Sequence, residues 1–147
     1  AGYRAEVERA GLEPRIVTVP FDTPIPQRFA LVQGSLDEAR AQAPIDGVFA
    51  TDDLAAAEVL EWARSRSLSV PGDLSVIGFD GTETMRRALP HLATIRQPIE
   101  QIARAAVDIL LGQMRGALPR PIDEAGDNSS PTLEFAGTLV QGRSLSL

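Results

Sequence analysis

Cysteine and lysine are absent from this 147-residue chain, histidine, tryptophan and tyrosine occur once each (His91, Trp62, Tyr3), and aromatic residues make up only 5% of it. Each absence removes a class of chemistry. Without cysteine there are no disulfides, no thiol nucleophile and no thiolate metal site. The one histidine follows Pro90, and no serine near it lies in a nucleophile-elbow setting, so a Ser-His-Asp triad has nothing to be built from. No G-x-G-x-x-G or Walker loop occurs, and nucleotide binding lacks its usual fingerprint. No apolar run is long enough to span a bilayer, and the N-terminal segment lacks the charged-then-apolar build of a signal peptide, so no membrane association is expected and a cytoplasmic location fits. The 14 basic residues, all arginine, face 20 acidic ones for a net charge of −6, and they form no basic stripe. Such a chain does not itself bind nucleic acid. Nothing here implies a cofactor or an enzyme.

With 44% hydrophobic residues, the chain can bury the core of one globular domain. Apolar spacing predicts a helix over 2–10, a short strand over 16–19 and an amphipathic helix over 29–43 interrupted by Gly34. A strand follows at 47–50, then a helix from Asp53 to about residue 67, which Thr51 or Asp52 can cap. Residues 74–79 form an apolar run too short for a helix, launched by a Pro-Gly-Asp turn, and read as a strand buried on both faces. A short helix at 82–87, a strand at 92–96, a helix at 98–115 with Pro98 leading it, and a last strand at 132–140 complete the order. Residues 117–131 are rich in Pro, Asp, Ser and Gly and are expected to form a flexible loop. Alternating strands and helices predict an α/β fold, a Rossmann-like parallel sheet flanked by helices.

In an open parallel sheet, ligands bind beyond the carboxyl ends of the strands. Thr51-Asp52-Asp53, Asp80-Gly81-Thr82 and Gln97 all follow strand ends, so the sheet places them along one edge. Together they offer carboxylate, hydroxyl and amide groups suited to a polyhydroxylated ligand, and carboxylate-to-hydroxyl hydrogen bonds are charge-assisted. Gly81 would let a ligand approach the backbone closely. Phe21, also just past a strand, offers a face for a sugar ring. Each position has a plainer reading: a solvated turn for Asp80, core packing for Phe21 and Trp62, and a helix N-terminus for Asp52 and Asp53. That last reading is why no metal site is assigned to these carboxylates.

Three segments carry a family resemblance: D-G-V-F-A-T-D-D-L-A-A-A at 46–57, V-P-G-D-L-S-V-I-G-F-D at 70–80 and L-A-T-I-R-Q-P at 92–98. They resemble, in order and spacing, the effector-binding domain of LacI/GalR-type bacterial transcription regulators, a periplasmic-binding-protein-like fold of type I. The tail L-V-Q-G-R-S at 139–144 resembles that family's closing strand, while 21–42 match weakly. The resemblance implies a small-molecule effector, a sugar or sugar derivative, contacted by Asp80, Asp52, Gln97, Phe21 and Thr51, the last standing where the family usually has Asn. It implies a homodimer paired through Ala56 and Leu60 on one helix and Met85 and Leu89 nearby, with Leu60 facing the core as the alternative. DNA would be bound only through a helix-turn-helix domain absent from this chain. A periplasmic sugar-binding protein of a transporter is the second reading.

The resemblance also divides the chain. Residues 1–97 would form most of a C-terminal subdomain and 98–116 a helix crossing to an N-terminal subdomain. Residues 117–131 would form the loop and 132–147 the closing strand and tail of a partial effector-binding domain. The apolar face of the crossing helix (Ile99, Ile102, Ala106 and Leu110) was then built to be covered. Within these 147 residues it is expected to turn onto its own sheet or onto another chain, unless the protein is longer.

Overall fold

A computed structural model describes residues 2–20, 22–116 and 133–145. The elements are helices α1 (Gly2–Arg9) and α2 (Ile25–Gln42), strand β1 (Gly47–Phe49), helix α3 (Asp53–Ser65), strand β2 (Ser75–Asp80), helix α4 (Glu83–Ala88), strand β3 (Ala93–Arg96), helix α5 (Ile99–Met114) and strand β4 (Thr138–Val140). The sheet order is β1-β2-β3-β4. The first three strands are parallel, with Phe49 opposite Ile77 and Asp80 opposite Arg96. β4 joins the edge antiparallel to β3, with Leu139 opposite Ile95, so the sheet is mixed rather than wholly parallel. The α/β fold of the expected type is present.

Strand alternation decides which residues meet the helices. Val76 and Gly78 of β2 are buried, whereas their neighbours Ile77 and Phe79 are half-buried. Gly78 lies directly under α3: a methyl group there would stand 3.3 Å from the Ala56 side chain and 2.5 Å from a carboxylate oxygen of Asp53. The core joins Val32 and Leu36 of α2, Ala56, Val59, Trp62 and Ala63 of α3, and Leu74, Val76 and Leu92 of the sheet layer. Trp62 is fully buried. Its indole Nε1 donates to Asp37 of α2 at 2.9 Å, and the Arg66 guanidinium grips the same carboxylate. That pairing, chiefly the hydrogen bond from Arg66 and then that from Trp62, holds the Asp37 carboxyl below its usual range.

The tail closes the opposite ends of the strands. Buried Ser144 accepts from the Ala93 amide through Oγ (2.8 Å) and donates from Oγ to the Val76 carbonyl (2.7 Å), while its own carbonyl accepts from the Val76 amide. One serine thus ties β2 to β3. Gly142 makes the approach possible, since a Cβ there would meet the Ala93 nitrogen at 2.4 Å.

Three expectations are corrected. Residues 16–19 form no strand: Ile16 and Val17 are exposed, and the preceding Arg15 reaches the carbonyls of Ala39, Ala43 and Pro44 at the end of α2. The last strand is only three residues long. The crossing helix forms as expected but does not turn onto the sheet. No residue of α5 is buried, and Ile99, Val107, Leu110 and Met114 are all more than half exposed. The sheet face beneath α3 is already packed by Trp62, Val59 and Leu36. The expected loop at 117–131 lies outside the described residues.

Candidate functional site

The parallel register of β1, β2 and β3 brings the sequence-predicted polar positions to one edge of the sheet. Asp80 ends β2, Gln97 immediately follows β3, and Thr51 and Asp52 stand between β1 and α3. Asp80 and Gln97 meet directly. The Gln97 side-chain amide donates to Asp80 Oδ1, and the Gln97 backbone amide donates to the Asp80 carbonyl at 3.2 Å. A carboxylate accepts roughly four hydrogen bonds, so Asp80 keeps acceptor capacity beyond the bond from Gln97.

Backbone geometry gives Asp80 its direction. Its φ is +99°, a region in which a non-glycine residue is uncommon, and Gly81 follows at φ +61°. Gly81 is required on two counts, because a Cβ would also stand 2.8 Å from the Arg96 backbone. The chain therefore turns sharply at the end of β2, while Asp80 still pairs with Arg96 of β3. Thr82 then caps α4 by accepting from the Met85 amide.

On the β1 side, Asp52 acts as the N-cap of α3, its Oδ1 accepting from the Ala55 amide at 2.7 Å. Its Oδ2 lies 3.5 Å from the exposed Thr51 hydroxyl and 3.8 Å from the Arg28 guanidinium. Arg28 also pairs with Glu58 at 2.9 Å, which fastens the start of α2 to α3. Thr51 and Asp52 thus share the edge with Asp80 and Gln97, although Asp52 spends one oxygen on the helix. Phe21 lies outside the described residues.

Asp53, which the sequence groups with Thr51 and Asp52 at the strand-end edge and reads as a helix N-terminal carboxylate, is instead buried. It is 2% exposed, its Oδ2 accepts from the Gly81 amide at 3.0 Å, and its Oδ1 accepts from the Thr94 hydroxyl at 2.5 Å. The signal was present. Asp53 stands three positions before Ala56, so the helical period sets it on the buried stripe it shares with Ala56, Val59 and Ala63. Among the described residues, no three His, Cys, Asp or Glu side chains gather as a metal site would require.

The residues expected to pair two copies fall differently. Ala56 is corrected: it is 0% exposed and packs under the sheet beside Gly78, so it has no surface to offer a partner. Leu60 and Leu89 are half-buried against the same core, and Met85 is half-buried on α4.

A periplasmic binding protein-like domain matches residues 1–145. The chain is 37% identical over 117 residues to the sucrose operon repressor of Pediococcus pentosaceus, covering 79% of this chain and 34% of that one. It is 35% identical over 141 residues to the sucrose operon repressor of Lactococcus lactis, covering 96% and 39%. Among solved structures, the transcriptional regulator CelR in complex with cellobiose superposes with a TM-score of 0.74 at 26% identity, over 97% of this chain and 40% of that one. The chain thus spans little more than a third of the length of the curated relatives it matches. It belongs to the periplasmic binding protein-like domain family, in the form carried by LacI-type transcriptional regulators.

Proposed function

We propose that the chain is part of the effector-binding domain of a LacI-type transcriptional regulator, and that its effector is a sugar or sugar derivative. The observation that carries this reading is the elbow at the end of β2, where Asp80, the strand's last residue, holds a φ of +99° with Gln97 hydrogen-bonded to its carboxylate. An oriented carboxylate with an adjacent amide matches the donor and acceptor pattern of a polyol, and a site of this kind rejects analogues that lack the hydroxyl. Asp80 and Gln97 form the centre of the site, with Thr51 and Asp52 at its β1 side and Phe21 as the stacking face. The names of the relatives add support: two are sucrose operon repressors, and CelR was solved with cellobiose. The transporter-protein reading is not favoured, because these relatives are regulators.

The regulator acts as a homodimer in the cytoplasm and reads DNA through a separate helix-turn-helix domain. Residues 1–97 supply most of one subdomain. α5 belongs with a second subdomain formed by chain beyond these residues, whose surface covers Ile99, Val107, Leu110 and Met114. Effector binding biases two arrangements of the subdomains and so the DNA-binding state.

The test is calorimetry on the full-length protein with a panel of mono- and disaccharides that includes sucrose, cellobiose and lactose. At least one saccharide should bind, and Asp80→Ala should abolish that binding without altering the fold. Absence of binding across the panel, or near-normal affinity in Asp80→Ala, overturns the assignment.

A further inference from the structure

The geometry points to Asp53 as a positioning residue: a buried carboxylate that clamps the Asp80–Gly81 elbow from behind and so fixes the direction in which Asp80 meets the effector. This rests on the reading of Asp80 as the effector contact. Asp53 itself is only 2% exposed, with no surface to offer a ligand.

Four observations meet at this point. Asp80 holds a φ of +99°, a conformation that persists in a non-glycine residue only when its surroundings impose it. The Asp80–Gly81 peptide plane sets both that angle's partner and the direction of the Gly81 amide, and this amide donates to Asp53 Oδ2 at 3.0 Å in a buried setting. The second oxygen of Asp53 accepts from the Thr94 hydroxyl of β3, a separate buried bond that meets the remaining demand of the carboxylate. Gly78 leaves the space the carboxylate occupies, since a Cβ there would stand 2.5 Å from Asp53 Oδ1. The first turn of α3, the end of β2 and the middle of β3 thus close on one side chain. Gln97 holds the front of Asp80, and Asp53 holds the peptide behind it.

The two arms of the clamp have different consequences. The Gly81 arm acts on the elbow. The Thr94 arm fastens Asp53 to β3 and contributes stability without touching the elbow. A purely structural Asp53 would make both arms equivalent.

The experiment compares Asp53→Ala, Asp53→Asn and Thr94→Val in the full-length protein by two readouts. One is the calorimetric affinity for whichever saccharide of the panel binds the wild type, and the other is amide exchange, by mass spectrometry, in the peptide containing Gly81. Asp53→Ala should weaken saccharide binding at least tenfold and speed exchange at Gly81 at least tenfold. Asp53→Asn should stay within about threefold of wild type on both, because its Oδ1 can accept from Gly81 while its Nδ2 donates to the rotatable Thr94 hydroxyl. Thr94→Val should lower the melting temperature yet keep affinity within about twofold. Affinity in Asp53→Ala within twofold of wild type overturns the proposal, even where exchange rises. Equal losses of affinity in Asp53→Ala and Thr94→Val overturn it too, since that is what loss of stability alone produces. If no saccharide binds the wild-type protein, the sugar reading fails by itself. The clamp is then decided by exchange, and unchanged protection of Gly81 in Asp53→Ala refutes it.

Discussion

Ser144→Ala isolates the contribution of one hydroxyl to the closure of the sheet. The substitution removes Oγ and nothing else, and the Ser144 backbone bonds to Val76 and His91 can persist. Two hydrogen bonds disappear, one accepted from the Ala93 amide at 2.8 Å and one donated to the Val76 carbonyl at 2.7 Å. Ser144 is 4% exposed and Ala93 0%, so water cannot replace the lost partner without opening the strands. An orphaned buried amide costs about 1–3 kcal/mol, and the lost donation adds about 1 kcal/mol, giving roughly 2–4 kcal/mol. The measurement is native-state hydrogen exchange of peptides covering β2 and β3 in the full-length protein, which reports the local opening free energy. At about 1.4 kcal/mol per factor of ten, exchange there should accelerate roughly 30- to 700-fold, with α5 unaffected. An acceleration below about threefold would mean that the tail does not hold the two strands together, and the reasoning would fail.

Two further outcomes follow from the interior. Asp37→Asn should flatten the acid limb of the stability profile: the Asp37 carboxyl lies below its ordinary value of 3.8 through Arg66 and Trp62, so the stability it adds is present above that pH and fades as pH falls through the depressed value. Melting temperatures between pH 6 and pH 3 check this, and an unchanged slope in the variant refutes it. Gly78→Ala should destabilise by about 1–3 kcal/mol, because the added methyl meets Asp53 Oδ1, Leu92 and Ala56 at once; an unaltered melting temperature would show that the interior there has slack.

Most of the architecture was legible because the elements that form it carry strong periodicity. The apolar run at 74–79 lies within one residue of β2, and the stripe over 98–115 became α5. Residues 16–19 fail for a physical reason that composition cannot express. A short apolar run becomes a strand only where an edge accepts its backbone, and here Arg15 anchors the chain to the end of α2 instead. The direction of β4 was hidden as well, since antiparallel pairing depends on where the chain returns from and leaves no local mark. The exposed face of α5 shows the complementary case. Its amphipathic stripe was legible, yet among the described residues nothing buries any residue of it.

Adjacent acidic residues at the start of α3 show how far sequence reasoning reaches into the site. Asp52 and Asp53 are chemically identical, and both suit a helix N-terminus. A helix advances about 100° per residue, however, so one step separates a cap from a core position. Asp52, in extended backbone ahead of the helix, turns its carboxylate back to the Ala55 amide and keeps its other oxygen near Arg28. Asp53, one step on, lies in register with Ala56 and Val59 and is carried beneath the sheet. A carboxylate there requires buried donors. The Gly81 amide, just past β2, and the Thr94 hydroxyl of β3 supply them, 28 and 41 residues away in sequence. Periodicity therefore identifies which aspartate is buried, whereas its partners emerge only when β2 and β3 are placed side by side. The position of Asp80 at a strand end and the burial of Asp53 are both legible in the sequence, whereas the bond from the Gly81 amide that joins them is not.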